Sequence, residues 1–202
     1  MARIVVNDGD ELVVQAPAGG TIRTTLVIEA SQGQVDEMPY IDLVDEMPLN
    51  PNPTEPPGWW IRTPAQIKGI TIHHTMSHDP KATARYCTDV KGRPSIQYHL
   101  WVTREGAVYL CAPLSWGMWH DHCGHENKNV SVGLAGHLHQ AKPPDVQLQA
   151  AARIVAWLMG QYGIVRAEVL GHNDRYEATV CPGWYQAGWR DDFYRALDEE
   201  LT

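Results

Sequence analysis

The spacing of hydrophobic and polar positions changes character three times along the chain. Near the start, "RIVV-NDGD-ELVVQ" sets two short β-branched runs around Asp8-Gly9. That turn pair favours a hairpin. "TIRTTLVIE" then alternates as a third strand would. The acidic "NDGDE" is too short for an EF-hand calcium loop, and a turn accounts for it better. Periodicity then stops. "VDEMP" occurs at 35–39 and again at 44–48 without continuing as a solenoid repeat, and "LNPNPTEPPGWW" follows. Such proline density predicts an extended connection, with Trp59-Trp60 anchoring it to what comes next; a ligand platform is the alternative for the tryptophan pair.

From Pro64 onward strand-like and helix-like periods alternate. "IKGITIH" is a continuous apolar run, expected of a central strand covered on both faces. Asp79-Pro80 reads as a helix start, with an N-cap and then proline at the first helical position. "SIQYHLWVT" and "AVYLCA" flank "REG" as a hairpin, and "VSVGLAG" reads as another buried strand. In "DVQLQAAARIVAWLMGQYG", apolar residues at 146, 150, 151, 154, 155, 158, 159 and 162 predict a helix with one buried face, capped by Asp145 and ended by Gly163. "AEVLGH" returns as a strand, and a last helix places Trp189, Phe193, Leu197 and Leu201 on one side. The expected fold is α/β: a central mixed, mostly buried β-sheet flanked by helices, with a short β-rich N-terminal extension. The expected divisions are residues 1–30 (extension), 31–63 (Pro-rich strap) and 64–202 (catalytic domain).

Composition narrows the function more than the fold. A 202-residue chain that is 44% hydrophobic and 20% charged can bury a full core without disulfides. A formal net charge of −8 argues against nucleic acid and against purely electrostatic attachment to anionic surfaces. The opening "MARIVVNDGDELVV" does not read as a signal peptide, and no stretch approaches a membrane span. Four cysteines, Cys87, Cys111, Cys123 and Cys181, show no CxxC pair, and Cys87 and Cys111 read as free buried thiols.

Three segments place metal donors where a strand gives way to a loop: "IHHT" (72–75), "GHND" (171–174) and "CPGW" (181–184). Zinc takes imidazole nitrogen and thiolate sulfur in tetrahedral sites. Two neutral histidines and one thiolate would leave a net charge of about +1 and a fourth position for water, whose pKa can fall to roughly 7. Each residue alone has a simpler reading, as a core or surface histidine or a buried thiol.

Taken together, "GITIHHT", "SIQYHLWVTREGAVY", "WHDH…NKNVSVGLAG" and "VLGHNDRYEATVCPG" resemble, in the same order, the zinc-dependent N-acetylmuramoyl-L-alanine amidases, the family of phage amidase lysozymes and peptidoglycan recognition proteins. The likeness covers about residues 64–200. It implies His73, His172 and Cys181 as ligands of one catalytic Zn2+, with Tyr98 beside the zinc-bound water. Thr179 stands two residues before the cysteine, where some phage enzymes carry lysine; a hydroxyl can steady an oxyanion but brings no charge. Ala135 stands where many bacterial relatives have a glutamate usable as base. His120 matches a histidine near the family's cleft, with a substrate or proton-shuttle role, and His74 and Trp119 are further candidate substrate contacts. The remaining histidines read as surface or structural; a second metal site at 120–125 is the less favoured reading.

The resemblance implies a hydrolase acting on bacterial peptidoglycan, cutting the amide between the lactyl group of N-acetylmuramic acid and L-alanine of the stem peptide. Such a protein would be made in the cytoplasm and released to the wall, as an endolysin is, or belong to a longer secreted protein. Two alternatives stand beside it: a recognition module that binds without cutting, and a structural zinc domain closed by His99 or His120.

Overall fold

The computed structural model describes residues 3–6, 12–15, 21–23, 40–53, 60–121, 128–184 and 188–202. The chain divides into two compact units, Met1–Glu37 and Met38–Thr202. In the first, β1 (Arg3–Val6), β2 (Leu12–Gln15) and β3 (Thr21–Arg23) form an antiparallel sheet in that order. Val6 stands opposite Leu12, the register expected of a hairpin, while the Asp8-Gly9 turn lies outside the described residues.

The second unit is built on a six-stranded mixed sheet. Its strands in chain order are β4 (Ile41–Asp42), β6 (Gly69–His74), β7 (Leu100–Val102), β8 (Val108–Leu110), β10 (Asn129–Leu134) and β11 (Val169–Gly171). Spatially they run β11-β6-β10-β7-β8-β4. The first four are mutually parallel, β7 and β8 form an antiparallel hairpin, and β4 lies parallel to β8 at the edge. β5 (Trp60–Ile61) and β9 (Trp116–Gly117) make a separate antiparallel ribbon, with Trp60 opposite Gly117. The expected mixed, mostly buried sheet flanked by helices is therefore the architecture found.

Every residue of β6 and β10 is buried, as in strands covered on both faces, and Thr71, His73, His74, Asn129 and Ser131 are buried with the apolar positions. Full burial of side chains such as Ile70, Ile72, Val130 and Val132 stabilises by about 1.5–3 kcal/mol each. α1 (Pro80–Arg85) starts where Asp79-Pro80 predicts, with the Asp79 carboxylate accepting from the amides of Lys81 (2.8 Å) and Ala82 (3.1 Å). α2 (Asp145–Tyr162) buries Ala150, Ala151, Ile154, Val155 and Leu158, and ends at Gly163 in the left-handed region (φ 63°). Asp145 is its first helical residue, and Pro144 occupies the cap position.

After β11 comes one short turn of helix, α3 (His172–Arg175), and the described chain ends in α4 (Trp189–Glu200). Trp189, Phe193 and Leu197 are fully buried in the core that α4 shares with α2. Leu201, expected on the same face, lies past the end of α4 and is 47% exposed, because the helix stops before the turn that would have buried it. The segment 95–99 is irregular rather than strand. There the His99 amide bonds the Ser131 hydroxyl (2.9 Å) instead of a ladder carbonyl. Among the described residues no helix is long and apolar enough to cross a membrane.

Candidate metal centre and cleft

Strand register brings the first two donors together. Gly171 of β11 lies beside Ile72 of β6, so the next residue, His172, falls beside His73. Their rings are 4.6 Å apart. On the other side of His73 the β10 neighbour is Gly133. A Cβ on Gly133 would lie 2.9 Å from the Tyr98 ring and 2.8 Å from Thr75, so the missing side chain gives Tyr98 its place, with its ring 5.6 Å from that of His73.

The third donor arrives from the loop after α3. The Cys181 carbonyl accepts from the Asn173 amide (2.7 Å), and the Cys181 amide donates to the Thr179 hydroxyl oxygen (3.2 Å). These bonds hold the sulfur 3.7 Å from Nδ1 of His73 and 3.3 Å from the His74 amide, which donates to it. One donor atom from each of His73, His172 and Cys181 lies within 4.8 Å of the others. Among the described residues no fourth His, Cys, Asp or Glu joins them.

All eight residues singled out from the sequence line one cleft of about 490 Å³. Beyond the three donors these are Tyr98 and Thr179, with His74, Trp119 and His120. Arg93 and Gln97 line it too, and neither was singled out; the alternation in "SIQYHL" carries no mark of a polar wall. Ala135 lines a neighbouring pocket with His78, Asp79 and Tyr109. Among the described lining residues of the cleft there is no carboxylate. A larger groove of about 600 Å³ along α4 is lined by Arg166, Arg190, Asp198 and their neighbours, and holds no imidazole or thiol.

Burial sets the protonation states. His73 is 2% exposed, and desolvation with His120 and His172 nearby keeps its imidazole neutral well below the usual histidine range. Burial pushes the Cys181 thiol up to about 12, partly offset by the His74 amide. The Tyr98 phenol, raised well above its ordinary value by burial and then by the nearby sulfur, stays protonated. Its hydroxyl donates to the His74 carbonyl at 3.4 Å. His74 itself is turned toward His139 and His137, with ring centroids 5.3 and 6.4 Å away.

His99 is engaged on both nitrogens: Nδ1 accepts from the Ser131 amide (3.0 Å) and Nε2 donates to the Trp116 carbonyl (2.7 Å). It is a core histidine. His122, Cys123 and His125, the candidates for a second metal site, lie outside the described residues. Cys87 and Cys111 are free and buried.

Two imidazoles and one buried thiol, with no fourth His, Cys, Asp or Glu among the described residues, fit a zinc site that keeps one open position. The His74 amide aimed at the sulfur suits a thiolate better than a thiol. The fold and this donor set define an α/β protein with a candidate metal centre at the strand ends of a mixed sheet. The structure superposes on Drosophila PGRP-LB with a TM-score of 0.61 at 19% identity, covering 75% of this chain and 92% of that one. It superposes on the N-acetylmuramoyl-L-alanine amidase LysC from Clostridium intestinale with a TM-score of 0.57 at 19% identity, covering 68% and 93%. A third likeness is peptidoglycan recognition protein-LE in complex with tracheal cytotoxin, a monomeric diaminopimelic acid-type peptidoglycan (TM-score 0.61, 15% identity, 75% and 92% covered). No curated protein matches by sequence. The sequence profile of the N-acetylmuramoyl-L-alanine amidases matches residues 63–184, and the chain belongs to that family.

Proposed function

We propose that this chain is a zinc-dependent amidase that hydrolyses the bond between the lactyl group of N-acetylmuramic acid and L-alanine of the stem peptide. The observation that carries the reading is the convergence of His73, His172 and Cys181 at the floor of a cleft beside Tyr98. Bound there, zinc would act as a Lewis acid and lower the pKa of water to roughly 7.

The protein's own groups do the rest. Tyr98 lines the cleft beside the donors, and turning its hydroxyl from the long 3.4 Å contact with the His74 carbonyl would let it donate to the oxygen that gains charge as the carbonyl is attacked. Thr179 takes the Cys181 amide on its oxygen, which leaves its own hydrogen to point into the cleft as a weaker, uncharged donor. Trp119 offers an indole face to sugar or peptide along the cleft wall. The substrate is a polymer of the bacterial wall, so the working protein acts there after leaving the cytoplasm.

The test is mass spectrometry of products released from purified peptidoglycan by zinc-loaded protein, beside Cys181→Ser. Free stem peptides beginning with L-alanine, absent in the variant, are expected. Retention on the sacculus with no released peptide would replace the enzyme with a recognition module, the alternative to which several solved relatives lend weight by their names.

A further inference from the structure

Behind His73, on the side away from Cys181, lies a buried polar group that the reaction outlined above does not use. The His120 ring is 5.3 Å from that of His73, and its Nδ1 is 3.2 Å from His73 Nε2. The other nitrogen, Nε2, is 3.2 Å from the main-chain carbonyl oxygen of Asn129. A carbonyl only accepts, so Nε2 of His120 carries the hydrogen. In the neutral ring Nδ1 is then bare, and the nitrogen placed to donate to it is Nε2 of His73.

The opposite tautomer sets one lone pair against another at the Asn129 carbonyl. A hydrogen on His120 Nδ1 would find Asp121 Oδ2 at 3.7 Å, beyond hydrogen-bond distance, while Nε2 would turn its lone pair on the Asn129 oxygen. Asp121, fully buried, instead accepts from the Thr71 hydroxyl (2.9 Å) and the Asn129 side-chain amide (2.8 Å). The Asn129 carbonyl also receives Arg62 Nη1 (2.8 Å). The anchor that orients His120 is thus itself held at both ends.

We infer that His120 is a positioning residue: its ring holds His73 with hydrogen on Nε2, so that the bare Nδ1, 3.7 Å from Cys181 Sγ, faces the donor cluster. This rests on the metal-centre reading above. It assigns His120 to the support of a ligand, not to substrate contact or proton shuttling. Partners that fix a ligating histidine's tautomer raise its basicity, and their loss typically costs about 10–100-fold in metal affinity.

The test uses the full chain, zinc-loaded and labelled with nitrogen-15. Long-range proton–nitrogen correlation spectra report which ring nitrogen of each histidine is protonated. Hydrogen on Nε2 of both His73 and His120 is expected; hydrogen on Nδ1 of either would overturn the inference. That measurement needs no variant to fold. Zinc affinity by chelator competition supplies the second arm. His120→Ala should bind about 10–100-fold more weakly. His120→Asn, whose amide oxygen can stand in for Nδ1, should recover most of that loss. Equal affinity in His120→Ala and the wild type would also overturn the inference. A wild type that takes up no zinc would overturn the metal-centre reading itself, and this inference with it.

Discussion

Two histidine clusters flank the end of β6, and they differ in what completes them. His73 points to one face, where a second imidazole and a thiol bring three donor atoms within 4.8 Å. His74, the next residue, points to the other, where His137 and His139 stand with ring centroids 4.9 Å apart. Nδ1 of His74 is buried without a hydrogen-bond partner among the described residues. Three rings near one another do not make a comparable donor set: among the described residues no thiol or carboxylate joins them within common reach, as one does in the first cluster. A shared motif therefore divides by strand alternation into two chemistries.

The comparison can be broken most sharply at its sulfur. Cys181→Ser, or removal of metal by a chelator, should lower amidase turnover by about 10³-fold, since a Lewis acid supplies several kcal/mol and each 1.36 kcal/mol is tenfold. Folding of the variant can be checked by circular dichroism. Normal turnover in Cys181→Ser would remove the first cluster from the reaction. Next in size is Tyr98→Phe, which deletes one donor to the developing oxyanion and should cost about 10²-fold in kcat. Retention of the variant on peptidoglycan in a pull-down should be unchanged; a loss confined to binding would reassign Tyr98.

Gly133→Ala tests whether the space beside His73 matters. The added carbon meets Tyr98 at 2.9 Å and Thr75 at 2.8 Å. Overpacking of this kind costs about 1–3 kcal/mol. Displacement of the phenol should reduce kcat about tenfold while zinc affinity holds. Undiminished kcat would show that the ring moves aside at no cost.

The smallest effect belongs to the second cluster. Burial, then His139 and His137, push the His74 imidazole down to about 4 from an ordinary 6.5. Between those values the unfolded chain binds more protons than the folded one, so stability should decline as pH falls from about 6.5 toward 4. His74→Gln should flatten that slope in denaturant titrations and leave stability at pH 7.5 nearly unchanged. A slope identical to the wild type would mean His74 contributes nothing to acid sensitivity.

Much of this arrangement is legible along the chain because its causes are local. The β-branched run 70–72, the Asp79-Pro80 cap and Gly163 each specify an element through their own chemistry. What escapes is set by partners distant in sequence. β4, two residues long inside a proline-rich stretch, exists because β8 offers it an edge. Arg93 and Gln97 acquire meaning only from the cleft they face. The same holds for His120. Its match to the family placed it near the cleft, but its bonds to Asn129 and His73 span 9 and 47 residues.

The sulfur and the first imidazole stand 108 residues apart in the chain. During synthesis this spacing acts as a delay. A nascent chain that has made β6 and β10 already has most of its sheet, yet His73 has no thiol opposite it until translation has passed Cys181. A chain cut short before that point carries no complete donor set, and it also lacks Trp189, Phe193 and Leu197 of the core.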